Sequence, residues 1–335
     1  MIRRLYIVLL LTFSSYCSFA QFTNLVLEGG GMKGIAYAGA FEVLDSLGIT
    51  DSIQNVAGTS SGAMNGLMYA IGYSGKEISH LNLTTNFGKY NQVGMPFFGG
   101  IVRLRKKYGY YKTDRFIEDL GKIMLAKGFP EDLTFKDLYQ LKMDGKPVKL
   151  LYITGTNLSD QKLEVFSHET YPNMKILDAV KISISIPLYF EAVFMNEDGS
   201  LVEKKDADSS SSVMTDGGVL DNYPFFVFDS LVTNDDGNSY YKCNPRTLGL
   251  KLENDNSKEI IAGREIKNTS DFVEAYTRLS SEYLNRRHLG PQQLSQTIFI
   301  NVKDFNPKIR RQKKGKKEEV ISIGKLSAIR FFAKN

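Results

Sequence analysis

Thr23-Asn24-Leu25-Val26-Leu27-Glu28, followed by Gly29-Gly30-Gly31-Met32-Lys33-Gly34, is the stretch on which the fold turns. The first six residues form a short apolar run suited to a buried strand. The glycine loop leads into residues 35–47, where apolar residues recur at helical spacing. Residues 53–57 make a second strand candidate. They meet Gly58-Thr59-Ser60-Ser61-Gly62 and then a helix of small residues over 63–71. Strand, loop and helix, repeated in that order, predict a βαβ arrangement and a parallel sheet. Further strands are predicted over 148–156, 247–252 and 297–302, with 164–166 pairing nearby, and a long helix over 270–288. No internal repeat of fixed period is present. The polar stretch 197–212 predicts a surface loop, and 234–240 a turn-rich break at a boundary.

The 335 residues are 42% hydrophobic, 24% charged and 12% aromatic, values that argue against disorder, collagen and coiled coil. A formal charge of +5 is too mild to call for a nucleic-acid partner. Two cysteines, Cys17 and Cys243, exclude a disulfide-rich scaffold. No Cys/His grouping has zinc spacing, so neither a metal nor another cofactor is expected. Residues 1–20 are expected to be a cleavable secretory signal. Arg3 and Arg4 precede the apolar residues 5–13, and Ser18-Phe19-Ala20 offers small residues where a signal peptidase reads. Bulky Tyr16 before Cys17 argues against lipoprotein acylation. Removal would take two arginines from the +5, leaving +3, and would leave Cys243 as the lone cysteine. The expected destination is periplasmic, envelope-associated or secreted.

Three local patterns carry chemistry. Gly58 to Gly62 matches the G-x-S-x-G elbow, in which a serine on a sharp strand-to-helix turn projects its hydroxyl above a sheet. The helix that follows points its N-terminus at the reacting carbonyl, where amide groups favour negative charge. The Gly29–Gly34 loop fits two roles. As Gly29-x-Gly31-x-x-Gly34 it is a formal dinucleotide fingerprint. Beside the elbow it would instead offer N–H donors to an oxyanion. A dinucleotide site wants an acid at the end of the next strand, and that strand ends in the serine elbow. The third pattern, Asp216-Gly217-Gly218, follows Val213-Met214 and could present a carboxylate at a strand end; alone it would equally fit a hairpin turn.

Taken together, the glycine loop with Lys33, the elbow, Asp216-Gly217-Gly218 with Asn222 and Pro224 after it, and the block Ser183-Ile184-Ser185-Ile186-Pro187 resemble the patatin-like phospholipase family. The resemblance spans roughly Phe22 to Phe228. It implies a three-layer α/β/α fold with a central, mostly parallel sheet. It also implies a Ser-Asp dyad, with Ser60 as nucleophile and Asp216 as general base and acid. Gly29, Gly30, Gly31, Lys33 and Gly34 would form the oxyanion hole; Gly58, Gly62, Gly217 and Gly218 would shape the elbow and the acidic motif. The implied substrate is an acyl-ester lipid, phospholipid foremost. The expected division is a signal over 1–20, a catalytic domain over 21–228 and a C-terminal extension packed on it over 229–335.

Alternatives come from other parts of the chain. Ser60, Asp216 and His288 stand in the α/β-hydrolase triad order, although His288 follows Arg286 and Arg287 at a helix end, where a cation is routine. A nucleotide-binding oxidoreductase and a non-catalytic lipid-binding module are the other classes. Lys308, Arg310, Arg311, Lys313, Lys314, Lys316 and Lys317 form a basic run that would be attracted to an anionic membrane or would simply be solvated. Met95-Pro96-Phe97-Phe98 could cap the acyl site or form a plain surface loop.

Overall fold

The computed structural model describes residues 22–91, 99–253, 266–267, 284, 289–306 and 308–334. The expected signal over 1–20, Met95 to Phe98, His288 and nearly all of the helix expected over 270–288 lie outside the described residues. Both opening βαβ expectations hold. β1 (Asn24–Leu27) leads through a 3-10 turn at Gly31–Ile35 into α1 (Ala36–Ser46), and β2 (Asn55–Gly58) leads into α2 (Ser61–Ala70). Further on lie α3 (Gly75–Thr84), α4 (Asp114–Ala126), β3 (Leu150–Asn157), β4 (Lys162–Phe166) and α5 (Ile176–Ser183). The chain continues through β5 (Val193–Met195), β6 (Leu201–Val202), β7 (Ser212–Asp216), β8 (Thr247–Glu253), β9 (Thr297–Asn301) and α6 (Lys314–Phe332).

These strands form one nine-stranded sheet in the order β9-β8-β1-β2-β3-β7-β5-β6, with β4 also on β3. From β9 to β3 the pairing is parallel; the remaining strands pair antiparallel. Alternate residues face alternate sides, as a pleated strand requires. Leu25, Leu27, Val56, Leu151, Ile153, Leu248 and Leu250 enter the main core beneath the helices. Val26 and Ala57 face a smaller cluster with Tyr223, Phe225 and Cys243.

The register of β3 positions everything that follows. Ile153 stands opposite Gly58 of β2 on one side and Phe166 of β4 on the other. Gly155 stands opposite Asp216 of β7 and Glu164 of β4. With β4 occupying one edge, β2 and β7 must share the other. β2 runs along it parallel to β3 and β7 runs against it, so their C-terminal ends meet head to head.

The described residues of 229–335, expected as an extension packed on the domain, contribute strands to its sheet and side chains to its core. β8 lies directly beside β1, and β9 beyond it. The stretch 234–240, expected as a turn-rich break at a boundary, does hold a turn, at residues 234–238 of a hairpin pairing Ser230–Thr233 with Ser239–Lys242. α6 crosses α1 at glycines on both helices. A Cβ on Gly39 would overlap the Ile321 carbonyl oxygen, and one on Gly324 would overlap the Ala36 carbonyl oxygen. Lys317, expected in the solvated basic run, is only 4% exposed. Its Nζ donates to the carbonyls of Asn82 (2.9 Å), Leu83 (3.3 Å) and Thr85 (2.6 Å) at the end of α3. A buried cation there satisfies carbonyls that the helix leaves unpaired. Among the described residues no helix is long and apolar enough to cross a membrane.

The backbone contact between α1 and α6 leaves no room for a side chain. Gly39→Val or Gly324→Val is expected to lower unfolding stability by about 1–3 kcal/mol in urea titrations, the usual cost of overpacking. Gly315→Ala, with open space around it, is the control and should change stability far less.

Candidate active site

Ser60 sits between the end of β2 and the start of α2 with φ 52° and ψ −118°. A non-glycine residue at positive φ is strained, and such strain persists where the surroundings over-determine it. Here they do. The Ser60 N–H donates to Ser183 Oγ at 2.8 Å, at the end of α5. The Gly62 N–H closes the elbow on the Thr59 carbonyl at 2.7 Å. Thr59 Oγ1 pairs with Thr154 Oγ1 at 2.6 Å, pinning the elbow to β3. α2 rises so close to β1 that a Cβ on Gly62 would overlap the Leu27 carbonyl oxygen. Gly58 faces the Gly62 backbone across the same turn. Sequence alone marked these two glycines; the contacts give the steric reason.

Asp216 reaches the site from the other side. Its N–H donates to the Ser185 carbonyl at 3.0 Å, and Thr215 Oγ1 donates to the same carbonyl at 2.6 Å. Gly217 lies against Thr154 of β3, and the Gly218 N–H donates to Asp216 Oδ1 at 2.7 Å. The Ser60 side chain also hydrogen-bonds the carboxylate. Asp216 is 5% exposed and Ser60 6%. Burial raises the Asp216 pKa to about 6, against the lowering effect of the hydrogen bonds from Ser60 and Gly218. The Ser183–Pro187 block, noted in the sequence without a role, thus binds the amides of both Ser60 and Asp216.

The glycine loop divides its amides. The Gly29 N–H donates to the Asn222 carbonyl at 2.9 Å, and Asn222 Nδ2 returns a bond to the Gly29 carbonyl at 2.8 Å. The Gly30 N–H donates to Ser61 Oγ at 2.9 Å. Both amides, expected as oxyanion donors, are therefore used to hold the loop against the Asp216 motif and the elbow. Gly31, at φ 55°, and Ser61, at the start of α2, keep N–H groups without a hydrogen-bond partner among the described residues. Gly34 packs against Ser61 and Asn65. Lys33, expected near the oxyanion, is buried but does not line the cavity that holds Ser60. With two loop amides spent inside the protein and no acid at the end of β2, the dinucleotide arrangement has little left to bind with.

Ser60, Ser61 and Gly31 open onto a cavity walled by Met64, Met68, Leu120, Ile123, Ile184 and Phe190. Ile309, from the basic stretch, closes one side, and Asn91 Nδ2 donates to its carbonyl. Glu28, at the end of β1, is paired with Lys251 of β8 in a buried ion pair just before the loop. The Leu252 N–H donates to the same carboxylate at 2.6 Å. Sequence inspection missed this support, because the two residues lie on strands far apart in the chain.

The model of the patatin-like phospholipase family matches residues 25–229 of this chain. YqhO of Bacillus subtilis (strain 168) is 28% identical over 308 residues, covering 90% of this chain and 94% of its own. The probable lipid hydrolase 463L of invertebrate iridescent virus 6 is 29% identical over 297 residues, covering 86% and 81%. Among solved structures, VipD from Legionella pneumophila superposes with a TM-score of 0.53 at 18% identity, over 94% of this chain and 67% of that one. ExoU from Pseudomonas aeruginosa, in its complex with SpcU, gives 0.54 at 20% identity, over 94% and 52%. These structural likenesses concern the fold. The chain belongs to the patatin-like phospholipase family.

A carboxyl whose pKa is higher folded than the unfolded value of ~3.9 holds its proton more tightly in the native state. The fold therefore carries no penalty from Asp216 below pH ~4 and accumulates one as the pH rises through about 6. Asp216→Asn removes the buried charge. Its melting temperature is expected to match the wild type near pH 4 and exceed it at pH 7.5, measured by calorimetry. An identical difference at both pH values would contradict the raised pKa.

Proposed function

We propose that this chain is an exported lipid acyl hydrolase that cleaves carboxylic esters of phospholipids or related acyl lipids through a Ser60 acyl-enzyme. The observation that carries the proposal is the hydrogen bond to the buried Asp216 carboxylate from the strained Ser60, which itself lines an apolar cavity. Ser60 Oγ attacks the ester carbonyl as its proton passes to Asp216. The carbonyl oxygen, now an oxyanion, accepts bonds from the Gly31 and Ser61 N–H groups, aided by the N-terminus of α2. The carbon–oxygen bond to the alcohol breaks, and that alcohol leaves with the proton from Asp216. Water then attacks the acyl-enzyme, losing a proton to Asp216. The acid is released, and the Asp216 proton returns to Ser60. A carboxylate with a pKa of about 6 is a better proton acceptor than an ordinary one, and is still ionised at neutral pH.

Access from a membrane is part of the same proposal. Ile309 walls the cavity, and its neighbours Lys308 and Arg310 are exposed, as are Arg311 and Lys313. None of these four cations has an acidic partner among the described residues. The rest of the basic run is otherwise engaged: Lys314 pairs with Glu318 and Lys316 with Glu319, while Lys317 is buried. A cationic rim at the cavity would bring anionic lipid to the acyl site. Export is supported by the composition of residues 1–20 alone.

Ser60→Ala is expected to abolish labelling by a fluorophosphonate probe and hydrolysis of a phospholipid panel. Asp216→Asn should lower kcat/KM by about 10²–10⁴, the usual value of a general base. Wild-type kcat/KM should fall tenfold per pH unit below about 6. Full labelling of Ser60→Ala would remove the assignment.

Replacing Lys308, Arg310, Arg311 and Lys313 together with glutamine should weaken cosedimentation with phosphatidylglycerol vesicles on the order of tenfold or more at low salt. The difference should shrink at high salt, where exposed charges are screened. Unchanged low-salt binding would retire the membrane role of this stretch.

A further inference from the structure

The peptide between Thr59 and Ser60 aims the nucleophile. Its carbonyl accepts from the Gly62 N–H at 2.7 Å, inside the elbow. Its N–H donates to Ser183 Oγ at 2.8 Å, across to the end of α5. The peptide on the other side of Ser60 is held by α2, whose Met64 N–H donates to the Ser60 carbonyl at 3.2 Å. With both peptides fixed, Ser60 keeps φ 52° and ψ −118°, a conformation that a serine leaves when its surroundings allow. Thr59 and Gly62 donate their amides to backbone carbonyls, whereas the Ser60 amide depends on a side chain. One oxygen atom therefore stands between the strained conformation and its relaxation.

Two groups of the site hang on that conformation. The Ser60 φ and ψ fix where Oγ points. The ψ also fixes the direction of the Ser61 N–H, because that amide lies in the next rigid peptide plane. Ser183 is fully buried and is the last residue of α5. The turn after it is closed by the Ile184 N–H on the Val180 carbonyl and the Ser185 N–H on the Ile182 carbonyl, each at 3.0 Å. The Ser185 carbonyl accepts the Asp216 N–H at 3.0 Å. One helix end thus carries the anchors of Ser60 and of Asp216 two residues apart. Without the Ser183 oxygen, the Ser60 N–H would be a buried donor with no partner, a cost the elbow escapes by rotating.

We propose that the Ser183 hydroxyl is a positioning group: by holding the Ser60 amide it aims the nucleophile and the Ser61 N–H together. The proposal rests on the acyl-hydrolase function argued above and adds a residue that acts through Ser60 without touching substrate.

The test compares Ser183→Ala with the wild type on p-nitrophenyl butyrate. Reactive sites are counted by fluorophosphonate labelling taken to completion, and thermal melts report folding. The kcat per labelled site should fall about 10²-fold, the usual cost of a ~1 Å misplacement or of a lost oxyanion donor, with KM little changed. A trifluoromethyl ketone that adds to the serine and carries the charged oxygen should bind more weakly by the factor through which kcat/KM falls. Ser183→Cys fills the same space with a weaker acceptor. It should show a smaller loss of the same kind, and it decides the matter if the alanine variant is unfolded. A role limited to stability would lower the number of reactive sites and leave kcat per site at the wild-type value, which would overturn the proposal. A loss confined to KM, or unchanged ketone affinity beside a lowered kcat, would equally overturn it. Failure of the wild type to hydrolyse the ester would remove the hydrolase function itself, an outcome distinct from hydrolysis that is indifferent to Ser183.

Discussion

One edge of β3 carries two strands, and the site depends on that arrangement. β2 occupies the half up to Ile153 and β7 the half from Gly155 onward. Each strand ends where it meets the other, so the chain must leave the sheet at Gly58 and at Asp216. The elbow and the Asp-Gly-Gly turn are these two exits. A hydroxyl and a carboxylate from opposite ends of the catalytic region are brought together by backbone pairing. The Ser183–Ser185 segment then fixes both exits, through the Ser60 and Asp216 amides.

The same arrangement concentrates unfavourable features at one place. Ser60 holds a positive φ, Asp216 is ionisable and buried, and two glycine-loop amides are turned inward to hold the loop. Each of these costs stability, which the sheet and the main core must offset. Their common effect is a hydroxyl held against a carboxylate of raised pKa, with the Gly31 and Ser61 amides left without a partner among the described residues. In the acyl-hydrolase function proposed above, such preorganisation would place donors where charge develops and need little rearrangement during reaction.

The C-terminal third is joined to this scaffold more tightly than an appendage would be. β8 is a direct neighbour of β1, and Lys251 on β8 neutralises Glu28 next to the glycine loop. α6 lies backbone to backbone on α1, which begins where that loop ends. From the same stretch, Ile309 contributes to the cavity wall and Lys317 satisfies the end of α3. Loss of these residues would expose a sheet edge and open the cavity as well as shorten the chain.

The sequence by itself determined the strand–loop–helix order around residues 23–71, the elbow and the acidic turn, because short-range periodicity and glycine placement are local properties. β3, β8 and β9 were legible for the same reason, as apolar runs of strand length. Which loop amides are free could not be read there. Gly29, Gly30 and Gly31 are equivalent in sequence, and only their contacts with Asn222 and Ser61 separate them. The basic run likewise reads as seven similar cations until packing buries Lys317 and pairs Lys314 and Lys316. The register of β2 and β7 on β3 and the burial that raises the Asp216 pKa both arise between segments distant in the chain. Local pattern is silent on them, since hydrogen-bond satisfaction and desolvation depend on what the folded chain places within a few ångströms.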